Sequence, residues 1–262
     1  NLYYSNGFYD KALFFADKLA HFDNNKFRTS KNIDKKIANC KFAIEAIKNP
    51  VDFNPTNLGQ NINSENEEYL PAISVNGENL VYSRRYLKGE FLQEDFFISK
   101  MDKINSWSLS VPYGDNLNTD GNEGAFSFAP DMELIVFTAC DRPDGVGRCD
   151  LYFLVDGEIY NAGKTINSKE WESQGCFSSD GKYLYFVSTR EGGYGGKDIW
   201  RSKIVKNKFD RITIFEPENL GPLINTKYDE MSPFLHPDNL TLYFASNGHI
   251  GMGDYDIFIS RR

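Results

Sequence analysis

The chain has 262 residues, 40% hydrophobic, 25% charged and 15% aromatic, with a formal net charge of −8. That length suits one large all-β domain or two smaller domains, and an acidic chain repels nucleic-acid phosphates. No run approaches the roughly 18 apolar residues of a membrane-spanning helix, and the many aromatics favour strands. The charge is uneven: residues 1–49 hold nine Lys/Arg against five Asp/Glu, and the rest holds 20 against 32. The acidic part gives no support for docking on anionic lipid.

Residues 2–48 read as helical. Tyr9, Ala12, Leu13, Phe15, Ala16 and Leu19 form an apolar stripe at helical spacing. Asn24 and Asn25 break it. A second helix, about 31–48, carries Ile33, Ile37, Cys40, Phe42, Ile44 and Ile47, and "NP" at 49–50 stops it. "GFYDKAL" at 7–13 resembles the middle of a tetratricopeptide repeat; the plainer reading is any helical hairpin. The resemblance implies the end of a partner-binding solenoid. The chain opens inside this pattern without Met and stops on the strand-like "DIFISRR", so it reads as a piece of something longer.

After Pro50 the texture changes to short strands and Gly/Asn/Asp turns. Glu172–Trp200 and Glu230–Phe258 align without a gap, with ten identities in 29 positions. The pattern occurs four times, its Glu falling at Glu68, Glu123, Glu172 and Glu230. Eight residues later comes a turn residue: Asn76, Asp131, Asp180 or Asp238. An apolar strand follows ("LVYS", "LIVFT", "LYFVS", "LYFAS"), then a loop, then an Asp that opens another strand: Asp95, Asp150, Asp198 or Asp256. The Glu-to-Asp step is 27, 27, 26 and 26 residues. Linkers that echo one another precede the units: "PTNLGQNIN", "YGDNLNT", "AGKTINS" and "PENLGPLINT". A weaker fourth strand is carried by "WSLSVPY" at 107–113 or "RITIFEP" at 211–217.

A four-stranded unit with a period near 50 cannot bury both faces alone, but it does so when packed radially against its copies. The expected fold class is mainly β: a β-propeller of four-stranded blades over 50–262, preceded by a short helical hairpin over 1–49. The repeats run at about 57–114, 115–165, 166–217 and 218–262. Two closures stay open. One is a larger ring whose remainder is missing, the slightly favoured reading. The other is a compact four-blade ring with residues 51–56 as the outer strand of the last blade. An acid at one place in every blade reads as a structural anchor for backbone N–H groups. The competing reading is a ring of carboxylates holding a cation around a central channel.

"WESQ…SSDGKYLYFVSTREGGYGGKDIW" and "INTKYDEMSPFLHPDNLTLYFASNGHIGMGDYDIF" resemble TolB-type, WD40-like propeller repeats. More narrowly, the chain is similar to OmpA-family proteins of Bacteroidetes, in which a tetratricopeptide segment precedes such a propeller; "FTACDRPDGVGRCDLYF" at 137–153 is in the same style. The resemblance covers about 57–262 strongly and 1–49 weakly. Proteins of this layout include the PorE-like component of the type IX secretion system. The resemblance implies a non-enzymatic, periplasmic, outer-membrane-associated scaffold without a cofactor. Its implied partners are outer-membrane or secretion-system proteins. Peptidoglycan would be reached only through a domain absent from this chain, so no contact residue carries over.

Cys140 and Cys149 flank "DRPDGVGR", where a hairpin leaves one strand and enters the next. That brings them within disulfide reach in an oxidising compartment; two buried thiols are the plainer reading. Cys40 and Cys176 lie in unrelated segments, and no C-x-x-C zinc motif is present. The histidines, His21, His236 and His249, join no catalytic motif. "GGYGG" at 192–196 lacks the Lys of a phosphate loop and reads as a permissive turn. No catalytic residue is therefore assigned. Loops between second and third strands would form one rim, carrying Arg84, Arg85, Tyr86, Arg142, Arg148, Arg190, Tyr194, His249 and Met252. Arg and Tyr suit protein contacts, although a solvated rim fits as well. A ligand- or glycan-binding propeller, or one attached to a hydrolase, is the alternative function.

Overall fold

The computed structural model describes residues 2–22, 32–114, 116–206 and 212–262. Two compact units appear, and they do not follow chain order. Asn1–Pro55 groups with Ser246–Ile257, and Thr56–Ala245 groups with Phe258–Arg262. The boundary expected at 49/50 thus falls after Pro55, and one loop of the last repeat belongs with the helices.

In the first unit, α1 (Leu2–Ser5), α2 (Tyr9–Phe22) and α3 (Ile33–Lys48) form the helices. Gly7 sits between α1 and α2 at φ +75°, a conformation that ends a helix and that glycine adopts without strain. Helices α2 and α3 pack together and bury Ala12, Ile33, Cys40 and Ala43. The predicted stripe is only partly covered: Phe15, Leu19, Phe42 and Ile47 stay exposed. Asn24 and Asn25 lie outside the described residues. The Tyr9 hydroxyl donates to the Met252 carbonyl at 2.9 Å, and Lys35 donates to the Asn247 carbonyl. Residues 51–56 form no strand, and Val51 and Phe53 are exposed. The compact closure through 51–56 is therefore not adopted.

The second unit is a four-blade propeller arrangement of antiparallel sheets. Blade 1 is β1 (Glu67–Ile73), β2 (Asn79–Lys88), β3 (Phe91–Lys100) and β4 (Val111–Pro112). Blade 2 is β5 (Glu123–Phe128), β6 (Leu134–Cys140), β7 (Cys149–Val155) and β8 (Glu158–Asn161). Blade 3 is β9 (Glu172–Phe177), β10 (Tyr183–Ser188), β11 (Asp198–Lys206) and β12 (Ile212–Ile214), with β13 (Glu218–Asn219) also pairing β11. Blade 4 has three strands, β14 (Glu230–Leu235), β15 (Thr241–Ser246) and β16 (Asp256–Arg261).

Each inner strand packs on the blade before it: β5 on blade 1, β9 on blade 2, β14 on blade 3. Among the described residues no comparable packing joins β14 to β1. Apolar cores fill the three junctions. Phe96, Phe126, Phe137 and Tyr152 lie between blades 1 and 2; Val136, Leu151, Phe153, Phe177 and Phe186 between blades 2 and 3; and Tyr185, Ile199, Leu235 and Phe244 between blades 3 and 4. β6 and β10 are almost wholly buried because both their faces meet neighbouring blades.

Each hairpin between first and second strands is closed by its predicted turn residue. Asn76, Asp131, Asp180 and Asp238 each accept, on the side chain, the N–H two residues on. The positive φ falls one position later, at Gly77, Met132, Gly181 and Asn239. An acceptor oxygen at the turn and a left-handed residue after it is the chemistry such turns require.

Candidate functional site

The four repeated glutamates occupy equivalent places at the start of the inner strands, and their contacts repeat. Each carboxylate accepts the backbone N–H and the hydroxyl of a Ser or Thr four residues earlier. The distances are 3.1 and 2.6 Å for Glu68 with Ser64, and 3.0 and 2.6 Å for Glu123 with Thr119. They are 2.7 and 2.7 Å for Glu172 with Ser168, and 2.7 and 2.8 Å for Glu230 with Thr226. Glu123, Glu172 and Glu230 are fully buried. Charge-assisted bonds of this kind are about twice as strong as neutral ones, and they pin each linker to the strand it feeds.

Three of these glutamates also meet an arginine. Arg84 donates to Glu68 at 2.7 Å, and Arg142 and Arg190 lie 3.4 Å from Glu123 and Glu172. The same guanidinium groups donate to the carbonyls of Ile62, Leu117 and Ile166 and stack on Phe97, Tyr152 and Phe186. Burial pushes the Glu123 carboxyl up, against the lowering pull of Thr119 and Arg142. Burial likewise lowers Arg190, which Glu172 opposes.

The repeated aspartates close the loops that precede them. Asp150 accepts the N–H groups of Val146 and Gly147 at 2.5 and 3.0 Å. Asp198 accepts those of Tyr194 and Gly195 at 2.5 and 3.1 Å, and Asp256 those of Met252 and Gly253 at 2.8 and 3.0 Å. Asp95 differs because β2 and β3 form one long hairpin without a Gly-rich loop. Its partners are the Tyr86 hydroxyl and the Gln93 amide. Burial, then Asp95, pushes the Tyr86 phenol up to about 12.

This arrangement divides the expected rim. Arg84, Arg142 and Arg190 are only 13, 11 and 14% exposed, so they hold blades rather than face outward. Tyr86 is engaged with Asp95. The Met252 carbonyl accepts from the Tyr9 hydroxyl of α2, and His249 lies half-buried in the same loop. Arg85 is half-exposed and paired with Glu94 and Glu67. Arg148 and Tyr194 remain exposed, the former beside Asp141. Cys140 and Cys149 face each other across β6 and β7 and are joined by a disulfide; Cys40 and Cys176 are buried free thiols.

A cavity of about 690 Å³ is lined by all four inner strands. Its wall includes Leu70, Ala125, Gln174 and Ser232, each two residues after a repeated Glu and each at positive φ, between 51 and 57°. They sit where the pairing of inner to second strand shifts register in blades 1 to 3, so a β-bulge recurs at one level. The lining is mainly apolar and contains no Asp or Glu. The carboxylate ring around a channel is therefore not realised at this cavity. Among the described residues no group of three or more His, Cys, Asp and Glu is gathered for a metal ion, and no helix is long and apolar enough to cross a membrane.

Sequence reasoning missed the bulges and the hydroxyl partners of the glutamates. The bulges leave no glycine at the positive-φ position. The partners were visible as Ser or Thr four residues before each Glu.

No family model matches the chain, and no curated protein matches it. Among solved structures it is similar to TolB from Acinetobacter baumannii, with 17% identity, a TM-score of 0.40, and coverage of 68% of this chain and 37% of that one. A TolB-like protein from Agrobacterium tumefaciens gives 15% identity, a TM-score of 0.44, and coverage of 76% and 78%. Prolyl oligopeptidase B from Galerina marginata gives 14%, 0.37, and coverage of 74% and 27%. The chain thus spans little more than a third of the Acinetobacter protein. The fold assignment rests on this chain's own sheet order and repeated geometry, not on these likenesses.

Proposed function

We propose that this chain is a non-enzymatic interaction scaffold of the periplasm, part of an outer-membrane-associated assembly such as a type IX secretion system. The observation that carries it is the use of the repeated acids. All eight are bonded to backbone or side-chain donors of their own blades and linkers, and so hold architecture. The Cys140–Cys149 disulfide fits an oxidising compartment. Repeats resembling those of OmpA-family proteins support the same setting, with peptidoglycan reached only through another domain. Arg148 and Tyr194, exposed on loops, are the places to search for a protein partner. Photo-cross-linking from position 194 in cells should capture one discrete envelope protein, and the purified chain should not pellet with peptidoglycan sacculi. Turnover of peptide or glycoside substrates by the purified chain would overturn the reading.

The apolar cavity favours one second reading, a ligand-binding propeller. Thermal-shift measurements against small glycans and apolar peptides distinguish the two. The scaffold reading expects no saturable shift.

A further inference from the structure

One side chain interrupts the fourfold pattern inside the cavity. The positive-φ residues of the inner strands are Leu70, Ala125, Gln174 and Ser232. Leu70 and Ala125 hold that backbone conformation without an amide, so the bulge itself does not require one. Gln174 is 9% exposed and lines the cavity. Its backbone N–H donates to Thr138 Oγ1 at 3.2 Å, and its side-chain Oε1 accepts the Ser232 N–H at 2.7 Å. The second bond fixes the amide's orientation, because the atom that meets an N–H must be the oxygen. The NH2 group is therefore the one left over, and among the described residues it has no hydrogen-bond partner. Buried polar groups are nearly always paired, so this donor marks a place for an acceptor.

The cavity's volume of about 690 Å³ falls within the usual range of small-molecule sites, roughly 300–1,000 Å³. Phe126, Phe128, Phe177 and Phe234 line it, and no Asp, Glu, Lys, Arg or His does. Burial pushes the Cys176 thiol of the same wall up to about 11, so the wall resists negative charge. A charged ligand would lose its hydration there without gaining a counter-charge, whereas an apolar one gains by leaving water. The hydroxyls of Ser178 and Ser179 are spent on Asp180 and the Pro237 carbonyl. Strand β9 packs on β5 to one side and on β14 to the other, so Gln174 is flanked on both sides by strands of this chain.

We propose that the cavity binds an uncharged, mainly apolar small molecule through one carbonyl oxygen, which accepts a hydrogen bond from the Gln174 amide. The inference rests on the ligand-binding reading of the cavity and adds the ligand's chemical class. Water pairs with the amide but wets the phenylalanine wall. An ester, ketone or amide carbonyl on an apolar body satisfies the donor and keeps the wall dry. The single donor fixes the ligand's orientation, and the apolar wall supplies most of the affinity.

The probe is prodan, an uncharged naphthalene ketone whose emission moves to the blue in apolar surroundings, compared with ketone-free dimethylaminonaphthalene. Wild type should bind prodan saturably and roughly tenfold more tightly than the ketone-free compound. Gln174→Leu places in blade 3 the residue that blade 1 carries at the equivalent position. It should erase the preference while still binding both compounds. Ser232→Leu narrows the cavity and should weaken both together. Circular dichroism checks that each variant folds, and Gln174→Met, of similar length, serves should the leucine variant not. A preference absent from wild type, or one that survives loss of the amide, overturns the proposal and leaves a ligand-binding cavity standing. Binding that Ser232→Leu leaves unchanged lies elsewhere on the chain and overturns it too. Saturable binding of neither compound overturns the proposal and the ligand-binding reading together.

Discussion

At the scale of single residues, the recurring glutamate shows how a buried charge is made tolerable. Glu172 is fully buried yet accepts from Ser168, Ser188 and Arg190. Glu172→Ala would leave Arg190 buried without its counter-charge, and the expected loss is about 3–5 kcal/mol of unfolding free energy in denaturant titration. Glu123 adds a pH dependence. Burial raises its carboxyl above the unfolded value, so the folded state holds the proton more tightly. Its stabilising contribution is fully present below the unfolded value of about 4.3 and is lost as pH rises through the raised folded value. Glu123→Gln should flatten that slope, read by unfolding free energy against pH from mild acid to neutrality. The acids were legible in sequence because their spacing repeats. The arginines were not, because Arg84, Arg142 and Arg190 fall 16, 19 and 18 residues after their glutamates. They converge only once strands and loops of different length are folded.

At the scale of elements, turns and loops set how closely blades approach. A Cβ on Gly195 would lie 2.0 Å from the Tyr228 carbonyl and 2.5 Å from that of Thr226. The loop after β10 therefore needs glycine to lie against the linker entering blade 4. Gly195→Ala should destabilise by about 1–3 kcal/mol through that overlap, measured as a lower denaturant midpoint with unchanged slope. The Cys140–Cys149 link closes a loop of sequence separation 9. Replacing both with Ser should lower stability by roughly 2–3 kcal/mol on the chain-entropy estimate, compared with wild type under non-reducing conditions. The strand-turn-strand rhythm was readable because Asn or Asp at each turn has a local task. The bulges at Leu70, Ala125, Gln174 and Ser232 were not, because no special residue type marks them.

At the scale of the whole propeller unit, each blade leans on its neighbours in sequence, and the packing does not continue from blade 4 to blade 1. Such an array unfolds from its ends. Hydrogen exchange should show strong protection in β6, β7 and β10, which are buried on both sides, and weaker protection in β16, whose alternate residues are exposed. Equal protection of β16 and β10 would contradict this ordering.

By itself the sequence determined the repeat, its four-strand unit and the fixed spacing of its acids, because hydrogen-bond capacity and hydrophobic alternation are local and recur at fixed spacing. Only the tertiary structure decided which arginine serves which glutamate, that Arg84, Arg142 and Arg190 turn inward, and that residues 51–56 form no strand. Those outcomes depend on distances between segments far apart in the chain, which loop lengths and blade packing set together.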